Sequence, residues 1–181
     1  MRAVTTYYLE IRDRSTFRAS VAKPAGVCLA RVDTPLPELN RFFYTSVGGD
    51  WCWTDRLGWS FQDWLTYLST PGVETWVLSV DGVPAGYFEL DARLGDPELA
   101  YFGLLTAFIG RGLGGYLLTA AVERAWRLGT RVWVHTCSLD HPSALPAYKA
   151  RGFVEYQCTV GEVADEPTTP GVWPGCGPRT R

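Results

Sequence analysis

The chain has no apolar run long enough for a membrane. Its longest mostly apolar stretch, Ala100 to Ile109, is about half of the ~20 residues that a spanning helix needs. It carries almost no net charge: 17 Lys and Arg against 19 Asp and Glu leave −2 at pH 7. No basic field draws it to nucleic acid or to anionic lipid. Its five cysteines (Cys28, Cys52, Cys137, Cys158, Cys176) are odd in number and widely spaced. No Cys-x-x-Cys occurs, and no Cys and His residues stand at zinc-ligand spacing, so a disulfide framework or a structural zinc is not expected. Reduced thiols and a cytoplasmic location are the default. The N-terminal MRAVTTYYLEIRDR lacks the apolar core of a signal peptide. There is no internal repeat and no G-x-x-x-x-G-K-[ST].

What remains is an ordinary globular composition with one excess. The 181 residues are 46% apolar and 20% charged, which suits one domain with a real core. Aromatic residues reach 14%, and Trp51, Trp53, Trp59 and Trp64 fall within one 14-residue window. The end of the chain, ADEPTTPGVWPGCGPRTR, is too rich in proline and glycine for a helix or strand. The expected layout is a single domain over 1–162, with an extra N-terminal strand segment in 1–25 and an irregular tail over 163–181.

Local signals divide the domain further. Thr5–Ile11 and Gly26–Val32 read as strands. Pro35 opens a helix over Leu36–Thr45, broken at Gly48-Gly49-Asp50. Ser60 caps a second helix, Phe61–Leu68, stopped by Pro71-Gly72. Thr75–Val80 and Val83–Leu90 form a hairpin around Asp81-Gly82. Leu99–Leu105 is the next strand. Apolar residues at Leu113, Leu117, Leu118, Ala121, Val122, Ala125 and Trp126 mark a helix. Arg131–Cys137 is a strand, Pro142–Ala150 a short helix closed by Gly152, and Phe153–Val160 the last strand. A meander followed by one crossover predicts a mixed α/β (α+β) fold.

The strongest local signal is Ile109-Gly110-Arg111-Gly112-Leu113-Gly114-Gly115, between a predicted strand and a predicted helix. Glycines let the backbone approach a ligand, and the first N–H groups of a helix lack internal partners. The helix dipole and Arg111 favour an anion, and a pyrophosphate is the natural guest. The bland alternative is a turn that serves only helix–sheet packing. Gly110, Gly112 and Gly115 also fit the dinucleotide pattern G-x-G-x-x-G. Only one crossover follows them, though, and a doubly wound domain needs more.

These residues carry a resemblance. The span Leu99–Phe153 resembles the Gcn5-related N-acetyltransferase family. Its hallmark [Q/R]-x-x-G-x-[G/A] is matched by Gly112-Leu113-Gly114, with Ile109 where the family has Gln or Arg. Its Asn-x-x-Ala-x-x-x-Tyr-x-x-x-Gly-Phe is matched by Ala144, Tyr148, Gly152 and Phe153, with His141 in place of Asn. The resemblance implies a mixed, mostly antiparallel twisted sheet of six or seven strands flanked by about four helices. It also implies a splayed strand pair, Leu99–Leu105 and Arg131–Cys137, that holds acetyl-coenzyme A. The glycine loop (Ile109 to Gly115) and His141 would then bind the cofactor, and the N–H of Leu104 or Leu105 would face the acyl oxygen. Tyr148 would protonate the departing thiolate.

The base stays open between Glu89, an acid in a mostly apolar strand, and His135, which titrates near neutrality. Glu98 and Asp140 are weaker candidates at strand ends. Trp51, Trp53 and Trp59, beside Asp50 and Asp55, would bind a small-molecule amine by cation–π and charge contacts, or serve only as core. The expected activity is acetyl transfer to a primary amine. A peptide or protein acceptor, a non-catalytic acyl-CoA sensor and, more distantly, a nucleotide-linked oxidoreductase are the alternatives. A homodimer is left open.

Overall fold

The computed structural model describes residues 1–20 and 23–163. The proline- and glycine-rich tail, with Trp173 and Cys176, lies outside the described residues.

Seven strands form one sheet, flanked by four α-helices, as the mixed fold class predicts. They are β1 (Arg2–Ile11), β2 (Val27–Val32), β3 (Val73–Val80), β4 (Val83–Asp91), β5 (Glu98–Leu104), β6 (Val132–Cys137) and β7 (Val154–Val163). The helices are α1 (Pro37–Gly48), α2 (Phe61–Leu68), α3 (Leu113–Ala125) and α4 (Ala144–Ala150). The spatial order is β2-β3-β4-β5-β6-β1-β7. All pairings are antiparallel except β5 with β6, the pair joined by the α3 crossover.

Several elements start and stop for local reasons. Pro37 stands in the first turn of α1, where its missing N–H costs nothing. Ser60 and Asp63 close a capping box on α2, each side chain accepting from the other's backbone N–H. Asp81 and Gly82 both take positive φ, as a two-residue hairpin turn between β3 and β4 requires. The stripe on α3 is buried from Leu113 to Ala125 as its helical period predicts.

The sheet has a core on each face. On one side Leu117, Leu118, Ala121 and Val122 of α3 pack on Phe88, Leu90, Val132 and Val134. On the other, Phe43 and Val47 of α1 pack on Tyr87. β4 is therefore covered on both faces, and Ala85 through Leu90 are all buried. The N-terminal strand does not extend the meander beside β2. It is inserted between β6 and β7, with Leu9 opposite Val134 and Ile11 opposite Val132. Among the described residues no helix is long and apolar enough to cross a membrane.

Candidate active site

β5 and β6 are paired at a single rung, Glu98 opposite Trp133. Beyond it they diverge, and a cleft of about 600 Å3 opens between them. Leu99 to Leu104 line one side, and His135 and Cys137 the other. A parallel pair interrupted this early leaves backbone groups of β5 without a neighbouring strand. The N–H of Leu105 donates back to Ala85 O at 2.9 Å. Ladder alternation therefore turns the N–H of Leu104 toward the gap.

One end of the cleft suits an anion. Gly110 and Gly114 line it, and the preceding Gly112 caps α3 with φ +76° and no side-chain cap. That left-handed conformation is costly for any residue with a Cβ. The first N–H groups of α3 thus remain as donors. Arg151 also lines this end. Its Nη2 lies 2.6 Å from where a Cβ on Gly115 would stand, and its buried Nε has no hydrogen-bond partner among the described residues. An orphaned guanidinium N–H beside a helix N-terminus fits a phosphate group. The sequence places Arg151 between the end of the short helix at Ala150 and Gly152, and gives no sign of this role. Arg111, by contrast, lies over the ring of Phe108 at 5.1 Å and does not line the cleft. Ile109 lines it, while Leu113 turns into the core.

The other end is acidic and aromatic. Trp51, Trp53, Tyr101, Asp55, Asp140 and His141 gather there. Trp53 reaches this position because Gly48 leaves room: a Cβ on Gly48 would fall 2.3 Å from the indole. The indole Nε1 donates to Asp140 at 3.2 Å, and Asp140 also accepts from Thr136 Oγ1 and the N–H of Cys137. Asp55 accepts from the hydroxyls of Tyr44 and Tyr101. The Trp51 and His141 rings meet edge to face at 4.8 Å. His141 also accepts from the N–H of Ser143 through Nδ1, closing the turn before α4.

Tyr148 lines the cleft from α4, with its ring buried against Phe102 and Phe153. Burial, with the charge of Asp140 added, pushes its phenol above the ordinary value. It keeps its proton throughout the neutral range. His135 is half-exposed and faces Glu98 across 2.9 Å. That hydrogen bond raises its pKa against the opposing effect of burial, and the carboxylates of Glu98, Asp140 and Asp55 raise it further.

Besides Arg111 and Leu113, two more of the expected residues stand elsewhere. Glu89 does not line the cleft; it lies 1% exposed beneath α1 and α2. There it accepts from Arg56 Nη1 at 2.8 Å, Tyr67 OH at 2.7 Å and Asn40 Nδ2 at 3.1 Å. The sequence left this acid either exposed or functional as a base; β4 has no solvent face from Ala85 to Leu90, and the carboxylate is instead enclosed in a buried hydrogen-bond cluster. Arg56 is stacked among Trp59, Tyr67 and Tyr101, with 4.2 to 4.5 Å to the ring centroids. Burial is the largest single influence and works against its charge, but Glu89 together with Tyr101 and Tyr67 outweighs it and raises the pKa. Trp59 belongs to this cluster behind the cleft, not to the cleft wall. Arg56 was the missed residue here; a lone cation inside the tryptophan window is its one sequence signal.

The sequence profile of the acetyltransferase (GNAT) family matches residues 34–153, and the chain belongs to that family. The match ends before β7 and begins after β1 and β2. No curated protein matches the sequence. Among solved structures, a GCN5-related N-acetyltransferase from Kribbella flavida is 21% identical, with a TM-score of 0.60 over 86% of this chain and 56% of that one. A GCN5-related N-acetyltransferase from Sphaerobacter thermophilus is 18% identical, with a TM-score of 0.64 over 87% of this chain and 50% of that one. An aminoglycoside acetyltransferase from an uncultured soil metagenome is 14% identical, with a TM-score of 0.56 over 70% of this chain and 87% of that one. The chain thus spans about half the length of the first two.

Proposed function

We propose that this chain moves an acetyl group from acetyl-coenzyme A to a primary amine of a small molecule, by direct transfer with both substrates in one cleft. The observation that carries this reading is the continuity of that cleft. It runs from the N-terminus of α3 and Arg151 to Trp51, Trp53, Asp55 and Asp140. Its volume of about 600 Å3 is in the range of sites that enclose metabolites. An ammonium is attracted both to carboxylates and to aromatic faces, so the acidic, aromatic end suits an amine.

The residues divide by task. The N–H groups at the start of α3, the glycines before it and the guanidinium of Arg151 would hold the pyrophosphate. Bound there, the thioester supplies the acyl group and a thiolate leaving group. The N–H of Leu104 would donate to the carbonyl oxygen as negative charge grows on it. Tyr148 would give its proton to the sulfur. His135 would take the proton that the acceptor ammonium must lose before its lone pair can attack. We assign Glu89 and Trp59 to the frame that holds the α1–α2 loop, and His141 to the cleft wall beside Trp51.

A thioester-cleavage screen over a panel of amines tests this reading. Cleavage that depends on a small amine supports it. An intact thioester with every amine points to a sensor, and cleavage with peptides alone points to a protein acceptor. Gly112→Glu should remove measurable coenzyme A binding in a calorimetric titration. It forces a Cβ into the left-handed region at Gly112 and sets a carboxylate where the phosphates would lie. Unchanged affinity would separate the glycine loop from the cofactor.

A further inference from the structure

We propose that Glu98 is a positioning residue for His135: it holds Nδ1–H and so presents Nε2 as the atom that accepts the proton from the acceptor amine. The inference rests on the transferase reading above and deepens it. Its ground is the placement of the pair. Glu98 forms the single rung that joins β5 to β6, so it stands at the closed end of the wedge. The adjoining hydrogen bond, from the N–H of Trp133 to Pro97 O at 3.1 Å, anchors the same corner. His135 is two residues further along β6, on the wall of the cleft.

The proton inventory fixes the tautomer. An ionised carboxylate only accepts, so Nδ1 must carry the hydrogen across the 2.9 Å contact. In the neutral ring Nε2 then holds the lone pair, and it has no partner among the described residues. The step balances simply. The ammonium loses one proton, Nε2 gains it, and the amine is left with the lone pair that attacks the acyl carbon. The ring becomes a cation, and the Glu98 carboxylate stabilises it.

The surroundings favour that cation from every side. β5 brings Glu98, the loop between α1 and α2 brings Asp55, and the loop after β6 brings Asp140. β1 brings Tyr8, whose ring centroid is 6.0 Å away. Cys137 follows on β6. Among the described residues, no Lys or Arg side chain makes a hydrogen bond or ring contact with His135. Glu98 is 19% exposed, so its charge is only partly screened.

The test is the pH profile of kcat/KM with one fixed amine, measured for wild type, Glu98→Gln, Glu98→Asp and His135→Gln. Removing the carboxylate removes stabilisation of the imidazolium, so its pKa falls. Glu98→Gln should move the acidic limb to lower pH by roughly one unit. It should also lower the plateau about tenfold, because the tautomer is no longer held. Glu98→Asp should restore most of both. His135→Gln should abolish the limb. The chain has two histidines, so proton NMR can follow His135 directly, with His141 as internal reference. An active Glu98→Gln variant with an unmoved limb and an unmoved His135 titration overturns the positioning role alone. A wild-type protein that cleaves no thioester with any amine overturns the transferase reading instead.

Discussion

Tyr148→Phe lowers kcat for amine-dependent thioester cleavage by about 10²- to 10³-fold and leaves the affinity for coenzyme A nearly unchanged. The substitution removes one oxygen. The ring stays in its place between Phe102 and Phe153, so the packing that buries it to 6% exposure survives. The lost function is proton donation. Burial and the nearby charge of Asp140 both favour the neutral phenol, so wild-type Tyr148 is a competent donor across the neutral and mildly alkaline range. The alkaline side of the rate profile should therefore show no fall from this group up to about pH 10. Steady-state kinetics with a fixed amine, beside a calorimetric titration of coenzyme A, separate the two effects. Equal turnover in the variant removes Tyr148 from the chemistry and leaves it as a packing residue.

Glu89→Ala costs about 3 to 5 kcal/mol of stability, because it leaves the Arg56 guanidinium buried without its counter-charge. The carboxylate is the hub of three buried hydrogen bonds, from Arg56, Tyr67 and Asn40. For a chain of this size the loss lowers Tm by roughly 10 °C, readable by calorimetry or by urea unfolding. The double variant Glu89→Leu, Arg56→Met should recover most of it, since it removes both charges and keeps apolar volume. A small loss in Glu89→Ala would mean that water reaches Arg56 and that the cluster is not sealed. The same variant also bears on catalysis. If Glu89 acts only on the frame, its kcat/KM below the unfolding range should keep the wild-type pH dependence. A vanished limb would make Glu89 the base after all.

Much of the site was legible because it was local. The strand–glycines–helix sequence from Ile109 to Gly115 states its own geometry, since positive φ and free helix N–H groups are properties of a few consecutive residues. The same holds for the stretch from His141 to Phe153, which sets Tyr148 on a short helix at the cleft wall. Tryptophans 51 and 53 could be placed near the acceptor end only through the family resemblance. Trp59, six residues on, went to the other side of the loop. No local rule separates them: Trp53 takes its place from the room left by Gly48, and Trp59 from its stacking on Arg56.

The chain by itself determined the identity and approximate ends of its helices, the Asp81-Gly82 hairpin, the glycine loop and the family motif. Each depends on contacts within a few residues, where propensity, capping and turn chemistry act. Tertiary structure alone decided three things. It inserted β1 between β6 and β7, joining Thr6 to Cys137 and to Thr159. It covered β4 on both faces, which made Glu89, a candidate base in the sequence, half of a buried ion pair. It brought Glu98 to His135 and Arg151 to the first turn of α3. The physical reason is common to all three. Strand order and burial are set by the partner that removes a side chain from water, and that partner lies dozens of residues away.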